Sequence, residues 1–151
     1  MAESLLPDES PGLLLWRTTL LWQRRITAVL KPLGLTHVQF VVLTSAWWLD
    51  RQAGQTPSQR DLAEHAAIDT MMTSQVLRTL ASRGLVRRER DASDSRALRI
   101  TATDEGAELA RRAVQVVEAA DREFFAAAPD QAALMTALRA LGEAPVRPAP
   151  R

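Results

Sequence analysis

The stretch that decides the fold is Leu80-Ala81-Ser82-Arg83-Gly84-Leu85-Val86-Arg87-Arg88-Glu89-Arg90-Asp91-Ala92-Ser93-Asp94-Ser95-Arg96-Ala97-Leu98-Arg99-Ile100-Thr101-Ala102-Thr103-Asp104-Glu105-Gly106. Gly84 marks a helix end, because glycine takes up the left-handed backbone that closes a helix without steric cost. Residues 85–90 and 97–102 read as two short strands around the polar turn 91–95, although Arg87 to Arg90 lacks clean alternation. Thr103 then supplies a capping hydroxyl for a new helix. Asp104 and Glu105 fall in its first turn, where the helix dipole favours anions.

Basic charge gathers in the same place. Between Arg83 and Arg99 stand six arginines against Glu89, Asp91 and Asp94, while the whole chain carries only +1. A phosphate-binding surface requires such local concentration; a solvated charged hairpin is the alternative on charge alone.

Upstream, Asp69 is a cap for the helix that ends near Gly84. Pro57-Ser58 opens a shorter helix with Leu62 and Ala63 inward. Two short helices joined by a few residues fit helix-turn-helix geometry. On a 3.6-residue wheel Thr73, Leu77, Leu80, Ala81 and Gly84 share one side of the second helix. Met71, Gln75, Arg78 and Ser82 lie opposite, with Met72 and Thr79 close by. Glutamine pairs bidentately with adenine and arginine with guanine, in a major groove that admits a helix. Thr70 and Ser74 are placed for phosphate contacts, which position without reading sequence. Met71 and Met72 have two readings, as core residues or, if exposed, as contacts to thymine methyl groups.

Apolar helices bracket this middle. Ser10-Pro11 starts one that carries Leu13, Leu14, Leu20, Leu21, Val29 and Leu30 to a break at Lys31-Pro32-Leu33-Gly34. Thr36 and Gln39 form a capping box that opens a second, with Phe40, Val41, Leu43, Trp47 and Trp48, fading into polar residues 50–55. After Thr103 a long helix over 104–128, roughly 35–40 Å at 1.5 Å per residue, carries the stripe Ala110, Ala113, Val114, Val117, Ala120 and Phe124. Pro129 starts a sixth helix, Gly142 ends it, and 143–151 is a proline-rich loose tail. Such terminal helices need a partner, either each other or a second copy. Twofold homodimers are the commonest assembly, which favours the second copy.

Composition narrows the classes. A hydrophobic share of 46% over 151 residues supports a core, yet no run approaches the roughly 18 apolar residues of a membrane span. Glu3, Asp8 and Glu9 stand where a signal peptide would be basic, so a cytoplasmic protein with no membrane association is expected. The absence of cysteine rules out disulfides, thiolate metal sites and thiol redox switches. His37 and His65 are the only histidines, and no glycine-rich phosphate loop, serine elbow or metal-ligand spacing is present. Neither an enzyme nor a cofactor is expected.

Several of these residues together resemble one family. Leu35-Thr36-His37-Val38-Gln39-Phe40-Val41-Val42-Leu43 is similar to the second-helix signature of MarR-type regulators. Leu80-Ala81-Ser82-Arg83-Gly84-Leu85-Val86-Arg87-Arg88 resembles the family's exit from its recognition helix. Most specific are Asp91-Ala92-Ser93-Asp94-Ser95-Arg96-Ala97, Ile100, and Thr103-Asp104-Glu105-Gly106. The chain departs from the pattern at Ser95, where a second basic residue is frequent, at Ala92 in place of proline, and at Ala102 in place of leucine. Ala67 lies near a position often held by glycine.

The resemblance implies a mainly α fold with a small β-hairpin wing: a winged helix-turn-helix of six helices, dimeric through its N- and C-terminal helices. Residues 1–35 and 104–142 would serve dimerisation and 36–103 would form the DNA-binding lobe. Arg96 at the wing tip would enter the minor groove, with Asp94 orienting it or bracing the wing. The expected function is a sequence-specific, double-stranded-DNA-binding transcriptional regulator, a ligand-responsive repressor on a palindromic operator. A winged-helix module for protein contact is the alternative. The family also suggests a small lipophilic or phenolic effector between dimer helices and lobe. Trp16, His37, Trp47 and Trp48 are candidate lining residues, and a plain core role for the tryptophans is the other reading.

Overall fold

In the computed structural model, residues 9–52 and 56–143 are described. The expectations for Glu3 and Asp8, for 53–55 and for the tail at 144–151 fall outside them. The elements run α1 (Pro11–Leu30), a 3-10 turn (Lys31–Leu33), α2 (His37–Gln52), α3 (Gln59–Ala66), α4 (Thr70–Ser82), β1 (Val86–Arg90), β2 (Leu98–Ala102), α5 (Asp104–Phe125) and α6 (Gln131–Glu143).

Short-range hydrogen bonds set these bounds. Ser10 Oγ accepts from the Leu13 N–H at 3.3 Å, ahead of Pro11. Gly34, at φ 68°, closes the 3-10 turn. The Thr36–Gln39 capping box is reciprocal, at 3.1 and 3.2 Å. A second box joins Ser58 and Asp61, at 2.7 and 3.1 Å. Asp69 Oδ1 accepts from the Met72 N–H at 2.8 Å, and Thr103 Oγ1 from the Gly106 N–H at 3.0 Å. Each bond satisfies an amide that the first helical turn leaves without a partner.

The structure corrects two boundaries. The fifth helix stops at Phe125 instead of 128. The sixth is opened by Asp130, whose Oδ1 accepts from the Ala133 N–H at 2.9 Å, and Gly142 lies inside its last turn. Pro129 precedes the cap and starts nothing.

One core joins the lobe to the long helices. Ile26 and Leu30 of α1, Val42, Leu43 and Ala46 of α2, Leu62, Leu77, Leu80, Ile100, Ala110 and Ala113 are all fully buried. β1 and β2 pair antiparallel in the register Val86↔Ala102, Arg88↔Ile100, Arg90↔Leu98. A third length of chain extends the hairpin: the Ile100 N–H donates to Pro57 O at 2.9 Å, and Ser58 bridges Arg99. The wing is thereby sewn to the segment that leads into α3.

The first turn of α5 sits directly on the start of the wing. A Cβ at Gly106 would stand 1.9 Å from Leu85 O, so only glycine permits this approach. At the other end of the molecule, Leu14, Trp16 and Leu21 of α1 are exposed, and α6 has no buried residue at all. Among the described residues no single helix is long and apolar enough to cross a membrane.

Candidate nucleic-acid interface

α4 presents two unlike sides. Thr73, Val76, Leu77 and Leu80 are buried, Val76 joining the side read from the wheel. Met71 is 75% and Met72 44% exposed, and Thr70, Gln75 and Arg78 are also exposed, with Ser74 half-buried. The methionines are therefore not core. Burying a methionine side chain is worth about 1.5–3 kcal/mol, so leaving two on an outer face makes sense where a partner surface meets them.

The wing is held as a rigid finger. Asp91 accepts from the Ser93 N–H at 2.7 Å, the Ser93 hydroxyl at 2.6 Å and the Asp94 N–H at 3.3 Å, and its other oxygen accepts from Arg99 Nε. The Ser93 hydroxyl and amide, then Arg99, hold the Asp91 carboxyl far below the usual carboxylate range. Arg99 in turn donates to Thr56 O at 3.0 Å, tying the tip to the chain before α3. Arg90 donates to Ser95 O at 2.9 Å. Asp94 accepts from the Arg96 backbone N–H at 3.0 Å, so it braces the turn through the main chain. Among the described residues no carboxylate pairs with the exposed Arg96 guanidinium. A fixed base with a free cation at its tip is a good probe of a narrow, negative groove.

Sequence reasoning missed Asp91 and Arg99. The Asp91–Ser93 turn was open to a local reading, since aspartate commonly binds the backbone two residues on. The Arg99 bond has no such signal, because it depends on how the hairpin folds back.

Among the described residues, the four candidate effector residues do not share one cavity. Trp47 and Trp48 line one of about 440 Å³ with Thr44, His65, Val114 and Glu118. His65 was not foreseen there, since only the packing of α3 on α2 brings it in. His37 lies elsewhere, edge-on to Trp22 with ring centroids 5.1 Å apart, and Trp22 Nε1 donates to Asp121 Oδ1 at 2.7 Å. Burial pushes the His37 pKa down, against the opposing pull of Asp121. Trp16 stands 63% exposed on α1. Among the described residues no three His, Cys, Asp or Glu side chains gather closely enough to hold a metal ion.

A half-buried two-helix unit, an outward-facing second helix and a braced basic hairpin define a winged helix-turn-helix protein. The family model for the MarR family matches residues 35–98. The chain is 38% identical over 135 residues to the uncharacterized HTH-type transcriptional regulator YdcH of Bacillus subtilis, spanning 89% of this chain and 91% of that one. It is 38% identical over 142 residues to the HTH-type transcriptional repressor Rv2887 of Mycobacterium tuberculosis, across 91% and 97% of the two chains. The crystal structure of Rv2887 in complex with DNA superposes with a TM-score of 0.68 at 35% identity, covering 88% of this chain and 98% of that one. Its complex with salicylic acid gives 0.66 at 37% identity, covering 91% and 100%. CouR of Rhodococcus jostii bound to p-coumaroyl-CoA gives 0.80 at 28% identity, covering 96% and 100%. The chain belongs to the MarR family of transcriptional regulators, and it is a regulator and not an enzyme.

Proposed function

We propose that this regulator is a homodimeric repressor that grips a palindromic operator and releases it on taking up a small lipophilic or phenolic effector. The observation that carries the reading is the exposed outer side of α4 beside the braced wing. Gln75 and Arg78 read base edges in the major groove, and Met71 and Met72 meet thymine methyl groups. Thr70 and Ser74 fix register on phosphates, and Arg96 enters the minor groove with Asp94 holding its backbone. The DNA complex of the Rv2887 repressor supports DNA as the partner.

Residues 36–103 are the DNA-binding lobe in this reading, and 1–35 with 104–142 form the dimer. The bare apolar surfaces of α1 and α6 support that division, since a 13-residue helix without a buried side chain gains little from its own chain. Repression follows most simply from occlusion of a promoter. The Trp47–Trp48–His65 cavity, walled by aromatics with a few polar groups, is the candidate effector site. Salicylic acid on Rv2887 and p-coumaroyl-CoA on CouR are the chemistry that makes an aromatic effector the first choice. A true effector quenches tryptophan fluorescence and lowers operator affinity together; quenching with unchanged affinity counts against the regulatory part. Footprinting on genomic fragments tests the rest. The expected result is a symmetric protected site whose half-sites lie about 10 base pairs apart, and unprotected DNA throughout would refute it.

A further inference from the structure

Between the start of α4 and the wing runs a groove of about 320 Å³ whose walls include Ser58, Gln59, Arg60, Thr70, Asp94 and Arg96. We infer that this groove is a phosphodiester site, in which Arg60 and Gln59 clamp the DNA strand that passes between recognition helix and wing. The inference rests on the DNA-binding reading above and adds residues of α3 to it.

The geometry leaves the strand little choice. A helix in the major groove and a fingertip in the neighbouring minor groove have one sugar-phosphate strand between them, because that strand is the wall dividing the two grooves. Whatever lies between α4 and the wing must therefore face phosphates, and the first turn of α3 lies there. Arg60 is suited to this. Among the described residues its only ion pair is with Glu64, at 3.0 Å, and the two side chains are 85% and 66% exposed. Such a pair contributes little in water and exchanges readily for a phosphate. Gln59 is held by no hydrogen bond through its side-chain oxygen, which is buried without a partner. With that oxygen buried, the amide nitrogen is the end of the side chain left free, and one of its N–H groups donates to a phosphate oxygen. Asp94 is the one carboxylate among these groove residues, and it is engaged by the Arg96 N–H. Arg60 and Arg96 are the two cations that line the groove.

The test is DNA binding by the full chain at several salt concentrations, on a footprinted operator and on unrelated duplex. Arg60→Ala is expected to weaken both about tenfold alike and to reduce the slope of log affinity against log salt by about one. Gln59→Ala should weaken both without changing the slope. Glu64→Gln should tighten both about twofold by freeing Arg60. Arg111→Ala, which removes an exposed α5 arginine paired with Glu108, is the control for loss of charge alone and should change neither. Unchanged affinity and slope for Arg60→Ala, in a protein whose wild type binds with a normal salt slope, overturns the groove and leaves the regulator reading standing. A wild type with no salt-dependent affinity for any duplex overturns both.

Discussion

Asp91 gathers four hydrogen bonds from Ser93, Asp94 and Arg99, and so sets where Arg96 points without touching it. Replacing it with alanine should free the turn while leaving the helices intact. Amide exchange at Ser93 and Asp94 is expected to accelerate, and DNA affinity to fall roughly tenfold with an unchanged far-ultraviolet spectrum. Full affinity with a loosened turn would show that rigidity at the tip does not matter. His37 carries a second prediction at this scale. Burial favours its neutral ring, so its folded pKa lies below the ordinary 6.5. The unfolded chain then takes up the proton first, and stability drops as pH falls through 6.5 toward the folded value. Thermal melts at pH 7.5 and 5.5 should show this loss, and His37→Gln should shrink it. The residue scale is also where the sequence was least legible. Arg96 and the α4 side chains sit on motifs of fixed spacing, whereas the Arg99–Thr56 bond and the separation of His37 from Trp47 depend on tertiary packing that no local pattern encodes.

Helix starts were readable because a cap and its amide lie two or three residues apart. Ser10, Thr36, Ser58, Asp69 and Thr103 all act as their side-chain chemistry requires. The end of α5 and the start of α6 are less legible, because Asp130 and not the preceding Pro129 caps α6 by hydrogen bonding. Between α3 and α4 the chain turns at Ala67, which holds φ at 53°. A left-handed alanine costs about 1 kcal/mol relative to glycine. Ala67→Gly should therefore stabilise by up to about 1 kcal/mol, raising Tm by a few degrees; a lowered Tm would show the turn is unstrained. The opposite change is severe at Gly106, where any Cβ collides with the Leu85 carbonyl. Gly106→Ala should cost about 3 kcal/mol or more, because α5 must lift from the wing. Chemical denaturation measures it, and a loss under about 1 kcal/mol would mean the junction yields easily.

Taken whole, the molecule buries one continuous core that ties the helix-turn-helix to α1 and α5, and leaves apolar side chains of α1 and α6 exposed. That arrangement explains why hydrophobic spacing revealed the helices but not their partners: periodicity identifies an apolar side, while what covers it lies on another element or another chain. In the proposed dimer, a second copy over α1 and α6 would let two recognition helices face successive grooves. Leu21→Glu, on an exposed α1 position, should turn a sedimenting dimer into a monomer and weaken operator binding at least tenfold, since two half-sites no longer act together. The measurement that reaches the central claim most directly is operator affinity of wild type and Arg96→Ala across a salt series. The wild type should lose affinity linearly in log salt, and the variant should bind at least tenfold more weakly at every point. Equal binding by the two proteins, or affinity indifferent to salt, would contradict a helix and a braced basic wing closing on DNA.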